Sequence, residues 1–188
     1  MSSVVRIFIS SSGDVVEERE KARQVIAKLQ RFYGDCVDLR PVLWEDLPLQ
    51  ADTSFQEGID LVLHGKHQID IAVFILWSRL GSPIGGTLRR ADGSPYNSGT
   101  EREFDLMLAP REQTGGKRPH IFVYWRKDDA GFMKLVARHS VDKLSELANQ
   151  RELLDSFIKH RFHDEQGRNI RAIHTYTKPA SFARRLKV

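Results

Sequence analysis

Two carboxylates stand two positions apart, Glu101 and Glu103, in the segment Ser98-Gly99-Thr100-Glu101-Arg102-Glu103-Phe104. Thr100 with Glu103, and Ser98 with Glu101, each match the spacing of a capping box, in which the carboxylate only closes a helix end. The other reading is chemical. A carboxylate near a helix N-terminus is held ionised. Facing a cleft, it can grip sugar hydroxyls and stabilise an oxocarbenium-like transition state. The spacing leaves both readings open.

A second cluster, Ser10-Ser11-Ser12-Gly13-Asp14, offers hydroxyls and backbone N–H groups at a helix start, a combination that suits phosphate or sugar hydroxyls. Its plain alternative is N-capping by Ser12 or Asp14, which stabilises a helix by about 1 kcal/mol. The cluster is neither a G-x-G-x-x-G nor a P-loop, and Gly81, Gly85 and Gly86 do not complete one. Trp44, Trp77 and Tyr96 could stack on a planar base, although Trp44 and Trp77 end apolar strands where a core role serves equally well. Arg79, Arg89 and Arg90 could meet phosphates or stay as solvated charge. His160 and His163 have a helical spacing that a metal could use. No cysteine joins them and Asp164 is a weak third ligand, so a helix end is the preferred reading and no metal is expected.

The elements that must position these residues follow from periodicity. Val4 to Ile9 is a mostly buried strand. A helix runs from about Val15 to Tyr33, with Ala22, Val25, Ile26, Leu29, Phe32 and Tyr33 at helical spacing; Glu17, Glu18 and Glu20 lie at its positive end and Gly34 closes it. Leu39 to Trp44 is a second strand, placed near an edge by Pro41. Ser54 and Glu57 make a capping box for a helix to Leu63, closed by Gly65. Ile69 to Trp77 is a third strand, apolar throughout and so covered on both faces. A long loop from Ser78 to Ser98 precedes a helix from Thr100 to Leu108 that Pro110 should stop. His120 to Trp125 is a strand, Phe132 to Phe162 a helical region broken near Asp142, Ala172 to Tyr176 a fifth strand, and Phe182 to Leu186 a last helix. This alternation implies a mainly parallel five-stranded sheet with helices on both faces. Ligands in such folds bind beyond the carboxyl ends of the strands. The loops Ser10 to Asp14, Glu45 to Thr53 and Ser78 to Ser98 should therefore meet at the functional region.

Composition sets the outer bounds. A chain of 188 residues with 40% hydrophobic and 29% charged residues fits one globular domain over 1–188. The single cysteine, Cys36, excludes an internal disulfide framework. Val4 to Ile9 is too short for a signal peptide, and the longest apolar run, Ile71 to Trp77, is too short to cross a bilayer. Net charge is +4 and the pI about 9.3, but Lys and Arg are scattered among acids, which argues against nucleic acid as a partner. The expectation is a soluble, cytoplasmic protein without internal repeats.

Arg6-Ile7-Phe8-Ile9-Ser10-Ser11, followed by an acidic helix, resembles the opening of TIR-like (Toll/interleukin-1 receptor-like) domains, in particular the divergent modules at the N-termini of STAND-type NTPases and prokaryotic defence proteins. Ile69 to Leu76, the Ser98 to Phe104 segment, and His174-Thr175-Tyr176 with Phe182 and Leu186 continue the likeness over most of the chain. The resemblance implies a flavodoxin-like three-layer fold and cleavage of the nicotinamide–ribose bond of NAD, a substrate rather than a cofactor. It puts the essential glutamate at Glu103, with Glu101 as competitor; the Glu101 side chain is then expected to point toward solvent. The aromatic residue four positions earlier in the family is replaced by Gly99. Ser10, Ser11, Ser12, Trp44, Asp46, Trp77 and Arg79 become the expected substrate contacts. Trp44-Glu45-Asp46-Leu47-Pro48 resembles the family's mobile loop for assembly and gating, so self-association is implied. Arg79 to Asn97 is an insertion relative to compact members, a lid or a partner surface. No sensor or ATPase motif accompanies the domain, so a trigger is expected in another segment or protein. Two rivals stand beside the NAD(P) glycohydrolase reading. One is a non-catalytic self-association module; the other is a nucleoside deoxyribosyltransferase-like enzyme.

Overall fold

Val, Ile and Phe dominate the strand segments, and their side chains alternate between two cores. In the structure, a computed structural model that describes residues 3–46, 69–85, 88–114 and 118–186, the strands are β1 (Ser3–Ser11), β2 (Val37–Leu43), β3 (Ile71–Leu76), β4 (His120–Arg126) and β5 (His174–Tyr176). They form one sheet in the order β2-β1-β3-β4-β5, with every pairing parallel. The helices are α1 (Val16–Tyr33), α2 (Gly99–Thr114), α3 (Asp129–Val136), α4 (Val141–Phe162) and α5 (Pro179–Arg185). The result is the expected three-layer, flavodoxin-like α/β fold. The expected helix from Ser54 to Leu63, with Glu57 and Gly65, lies outside the described residues.

Period-two alternation assigns the faces. Ile7, Ile9, Val73 and Ile75 pack with Ala22, Ile26 and Phe182 under α1 and α5; Phe8, Ala72, Phe74 and Leu76 pack with Phe104, Met107, Leu154 and Phe157 under α2 and α4. The expected burial of Ile7, Ile9, Val73 and Ile75 is borne out, none exceeding 7% exposure. Phe104 sits at the hub of the second core, with ring centroids 5.4 Å from both Phe74 and Phe157 in edge-to-face contact. Each such pair adds about 0.5–1.5 kcal/mol beyond the area it buries.

Several boundaries differ from expectation. The helix at Thr100 is not stopped by Pro110 but continues as α2 to Thr114. Proline removes one N–H from the ladder yet keeps a helical φ; Pro110 is exposed, and burial of Phe104 and Met107 holds the helix together. The break in the long helical region falls at 137–140, before Asp142. β5 is shorter than expected, and α5 begins earlier, at Pro179, where proline suits a first helical turn. Pro41 does lie on an edge strand. Gly34 caps the end of α1, where a Cβ would stand 2.7 Å from the Gln30 carbonyl oxygen. Gln30 then pins β2 to α1: its amide oxygen accepts from Leu39 N at 2.6 Å and its Nε2 donates to the Val37 carbonyl at 3.2 Å.

Neither Ser12 nor Asp14 caps α1. Val15 occupies the cap without a side-chain bond. Glu18, read from sequence as a dipole partner, is instead 1% exposed. Its Oε1 accepts from Arg126 at 3.3 Å and from the Tyr176 hydroxyl at 3.2 Å, joining α1 to the carboxyl ends of β4 and β5. Burial pushes the Glu18 carboxyl above its usual range, against the pull of Arg126 and Tyr176. A raised native carboxyl favours folding while protonated. That contribution is complete below the ordinary value of 4.5 and is lost as pH rises through the native value. Thermal melting of wild type and Glu18→Gln should therefore show wild type losing stability relative to the variant as pH rises from 4.5 toward neutrality. A difference that stays flat with pH contradicts this.

Candidate functional site

The strand order places β1 beside β3 at the point where successive crossovers leave for opposite faces, the point beyond whose carboxyl ends sheets of this kind carry their ligand crevice. The last residues of β1 inherit its alternation. Ser10 shares the face of Phe8 and turns toward α2, where its Oγ donates to Glu103 Oε2 at 2.6 Å. That is the length of a charge-assisted O–H···O⁻ bond. Ser11 shares the face of Ile9 and turns toward α1, where its Oγ accepts from Arg19 Nε at 2.8 Å. Ser10, Ser11 and Ser12 are all buried.

Asp14 braces the β1 loop against the β3 loop. Its Oδ2 accepts from Ser78 N at 2.8 Å and Ser78 Oγ at 2.7 Å, while Oδ1 accepts from Ser12 Oγ. Arg19 braces the same loop against the end of β2: it donates to the Ser12 carbonyl at 3.0 Å and pairs with Glu45. Arg23 pairs with Asp46 at 2.9 Å. Asp46 is therefore engaged by α1 at the edge of the crevice. Trp44 opens the 3-10 turn Trp44–Asp46; its side chain and residues Leu47 to Thr53 lie outside the described residues.

On α2 the two carboxylates diverge because residues two apart on a helix are separated by about 200°. Phe104 locks the rotation of the helix in the core. Glu103 then falls on the flank facing β1, and Glu101 on the other. Glu101 does not point to solvent, as expected from sequence, but is 5% exposed. Its Oε2 accepts from Arg90 at 2.6 Å, from Asn97 N at 2.9 Å and from Asn97 Nδ2 at 3.1 Å. Ser98 supplies half of a capping box, accepting from Glu101 N at 3.1 Å, but the reciprocal bond goes to Asn97 instead. Glu103, the other carboxylate with capping-box spacing, sends Oε2 to Ser10. Asp105, one turn beyond Glu101, is held by Arg161 at 2.7 Å; burial, with a smaller contribution from the charge of Glu101, pushes its carboxyl up.

The loop after β3 is a built structure. Arg89 and Pro95 form an antiparallel bridge, Arg90 N donates to the Ser94 carbonyl at 2.9 Å, and Gly93 turns the hairpin at φ 83°. Gly81, at φ 134°, lies so close to α2 that a Cβ would stand 2.8 Å from Thr100 Oγ1. Arg90 and Tyr96 are used within the loop, the guanidinium carbon 5.0 Å above the ring centroid, so the expected phosphate and base roles are taken up by packing. Trp77 has Arg126 4.1 Å over its ring, which covers one face against a planar ligand. Arg79 is half-buried at the crevice and Arg89 is exposed. His160 and His163 direct Nδ1 at the main-chain carbonyls of Ser156 and Ile158, at 2.8 and 3.2 Å.

Two cavities lie elsewhere. One of about 800 Å³ borders Trp125, Lys127 and Arg151; an apolar one of about 310 Å³ lies between α1 and the sheet. Neither is lined by Ser10 or Glu103. Sequence reasoning missed Asp14, Arg19 and the Glu18–Arg126–Tyr176 cluster as braces of the carboxyl edge. Only the β1 alternation and the acidic start of α1 hinted at them. Among the described residues no helix is long and apolar enough to cross a membrane. Comparison with known protein families, curated proteins and solved structures finds no match to this chain.

Glu101→Gln removes the ion pair that fastens the hairpin to α2. Hydrogen bonds to charged groups contribute about 1.5–3 kcal/mol, so a lower melting temperature and faster amide exchange over residues 88–97 are expected. Unchanged exchange in that segment would show that Glu101 does not hold it.

Proposed function

We propose that this domain cleaves the nicotinamide–ribose bond of NAD or a related nucleotide, with Glu103 as the electrostatic catalyst. The observation that carries the reading is the reach of Glu103 from the second turn of α2 to Ser10 at the carboxyl end of β1. Glu101, its rival, is consumed by Arg90 and Asn97. The resemblance of the Ser98 to Phe104 segment to TIR-like domains supports the choice of substrate.

In the proposed reaction the C1′–N bond breaks and its electron pair leaves with neutral nicotinamide. The ribose becomes an oxocarbenium ion. Glu103, hydrogen-bonded to the ribose hydroxyls, offsets the positive charge that develops at C1′. Water then adds to C1′ and releases a proton, giving ADP-ribose. Ser10 holds the carboxylate in place before substrate arrives. Self-association and coupling to a STAND-type sensor in prokaryotic defence belong to the same proposal and rest on the sequence resemblance.

Nicotinamide release from NAD by concentrated protein tests this directly. Glu103→Gln can still accept the Ser10 hydroxyl but lacks the charge. Turnover should fall by roughly a hundredfold or more, typical of removing one electrostatic stabiliser, in a variant that melting curves show to be folded. Unchanged turnover removes α2 from the mechanism, and loss in Glu101→Gln alone transfers the role. Free base from a deoxynucleoside rather than from NAD supports the deoxyribosyltransferase-like reading, and an inert wild type supports the interaction module. Self-association predicts that activity per molecule rises with protein concentration; constant specific activity down to the monomer contradicts it.

A further inference from the structure

We infer that Arg79 is the phosphate-reading residue of this crevice, so that it discriminates nucleotides from nucleosides. This rests on the proposed reading for the reaction, but the phosphate site itself stands on separate observations. Arg79 follows the carboxyl end of β3 and its backbone is fixed on both sides. Ser78, just before it, gives both its N–H and its hydroxyl to Asp14. Leu80, just after it, is 0% exposed.

The side chain has no hydrogen-bond or ion-pair partner among the described residues. Arg79 Nε is buried and has no hydrogen-bond acceptor, and among the described residues no carboxylate pairs with the guanidinium. Arg90 and Arg126 also bury an unbonded Nε, but each carries an acid on its guanidinium. Arg19 is paired with Glu45, Arg90 with Glu101, and Arg126 with Glu18 and Asp128. A cation partly removed from water without a counter-charge is unfavourable, and an incoming anion relieves it. A guanidinium matches phosphate oxygens in a two-bond fork. Gly13 leaves the adjoining loop open, since nothing lies within 4 Å of where a Cβ on it would stand. Phosphate is the anion that accompanies a ribose in the proposed substrate, and the crevice already presents Ser10 and Glu103 for the sugar.

Calorimetry with inorganic pyrophosphate on wild type, Arg79→Gln and Arg79→Lys tests the site apart from any turnover. Losing a charged hydrogen-bond donor should weaken binding roughly tenfold or more in Arg79→Gln, with partial recovery in Arg79→Lys. Melting curves establish that each variant is folded. In parallel, kcat/KM for NAD should fall in Arg79→Gln while that for nicotinamide riboside, which carries no phosphate, stays unchanged. Pyrophosphate affinity that is equal in wild type and Arg79→Gln, or too weak to measure in wild type, overturns the inference. Equal losses on NAD and nicotinamide riboside overturn it as well. Arg79-dependent pyrophosphate binding in a protein that cleaves no NAD upholds the phosphate site and sinks the proposed reaction.

Discussion

Burial of β1 on both faces is the constraint from which the site follows. A strand packed between two helix layers must send successive side chains to opposite cores. Once Phe8 is committed to the α2 side and Ile9 to the α1 side, Ser10 and Ser11 have no choice of direction. Ser10 meets Glu103, 93 positions later in the chain, and Ser11 meets Arg19. Phe104 imposes the matching constraint on α2. With its ring locked between Phe74 and Phe157, the helix cannot rotate, and Glu103 can only face the strand. A one-residue slip of β1 would exchange the two serines and dismantle the crevice.

The carboxyl edge is then braced by charge rather than by apolar packing. Asp14 ties the β1 loop to the β3 loop, Arg19 ties it to the end of β2, and Glu101 ties the hairpin to α2. Glu18, Arg126 and Tyr176 close the far side. Each is a hydrogen bond to a charged, mostly buried group, worth about 1.5–3 kcal/mol and costly to leave unmade. A site framed in this way is preorganised for charge development, because its dipoles are set before substrate binds. It also makes an unpaired half-buried arginine conspicuous, since nearly every other cation of the edge has an acid.

The strand and helix pattern was legible because it depends on local periodicity, and the apolar run at Ile71 to Trp77 alone implied a sheet covered on both faces. Faces were legible too: alternation in β1 separates Ser10 from Ser11 without a structure. The helical angle between residues 101 and 103 already required one carboxylate to face away from the strand. What sequence could not give was the partner on that other flank. Glu101 looked like solvent because Arg90 and Asn97 reach it only through the hairpin fold of the preceding loop. Asp14 looked like a cap because its true donors, on Ser78, are 64 positions away. Pro110 looked like a helix stop because its local penalty is visible and the long-range packing that outweighs it is not.

The central claim is that the carboxylate of Glu103 meets the sugar of a nucleotide between the ends of β1 and β3. The most direct measurement is a crystal structure with ADP-ribose bound. The account predicts hydroxyls of the terminal ribose within hydrogen-bond distance, about 3 Å, of the Glu103 carboxylate. ADP-ribose seated elsewhere, with the Ser10–Glu103 bond intact and no ligand oxygen in reach of the carboxylate, would contradict it.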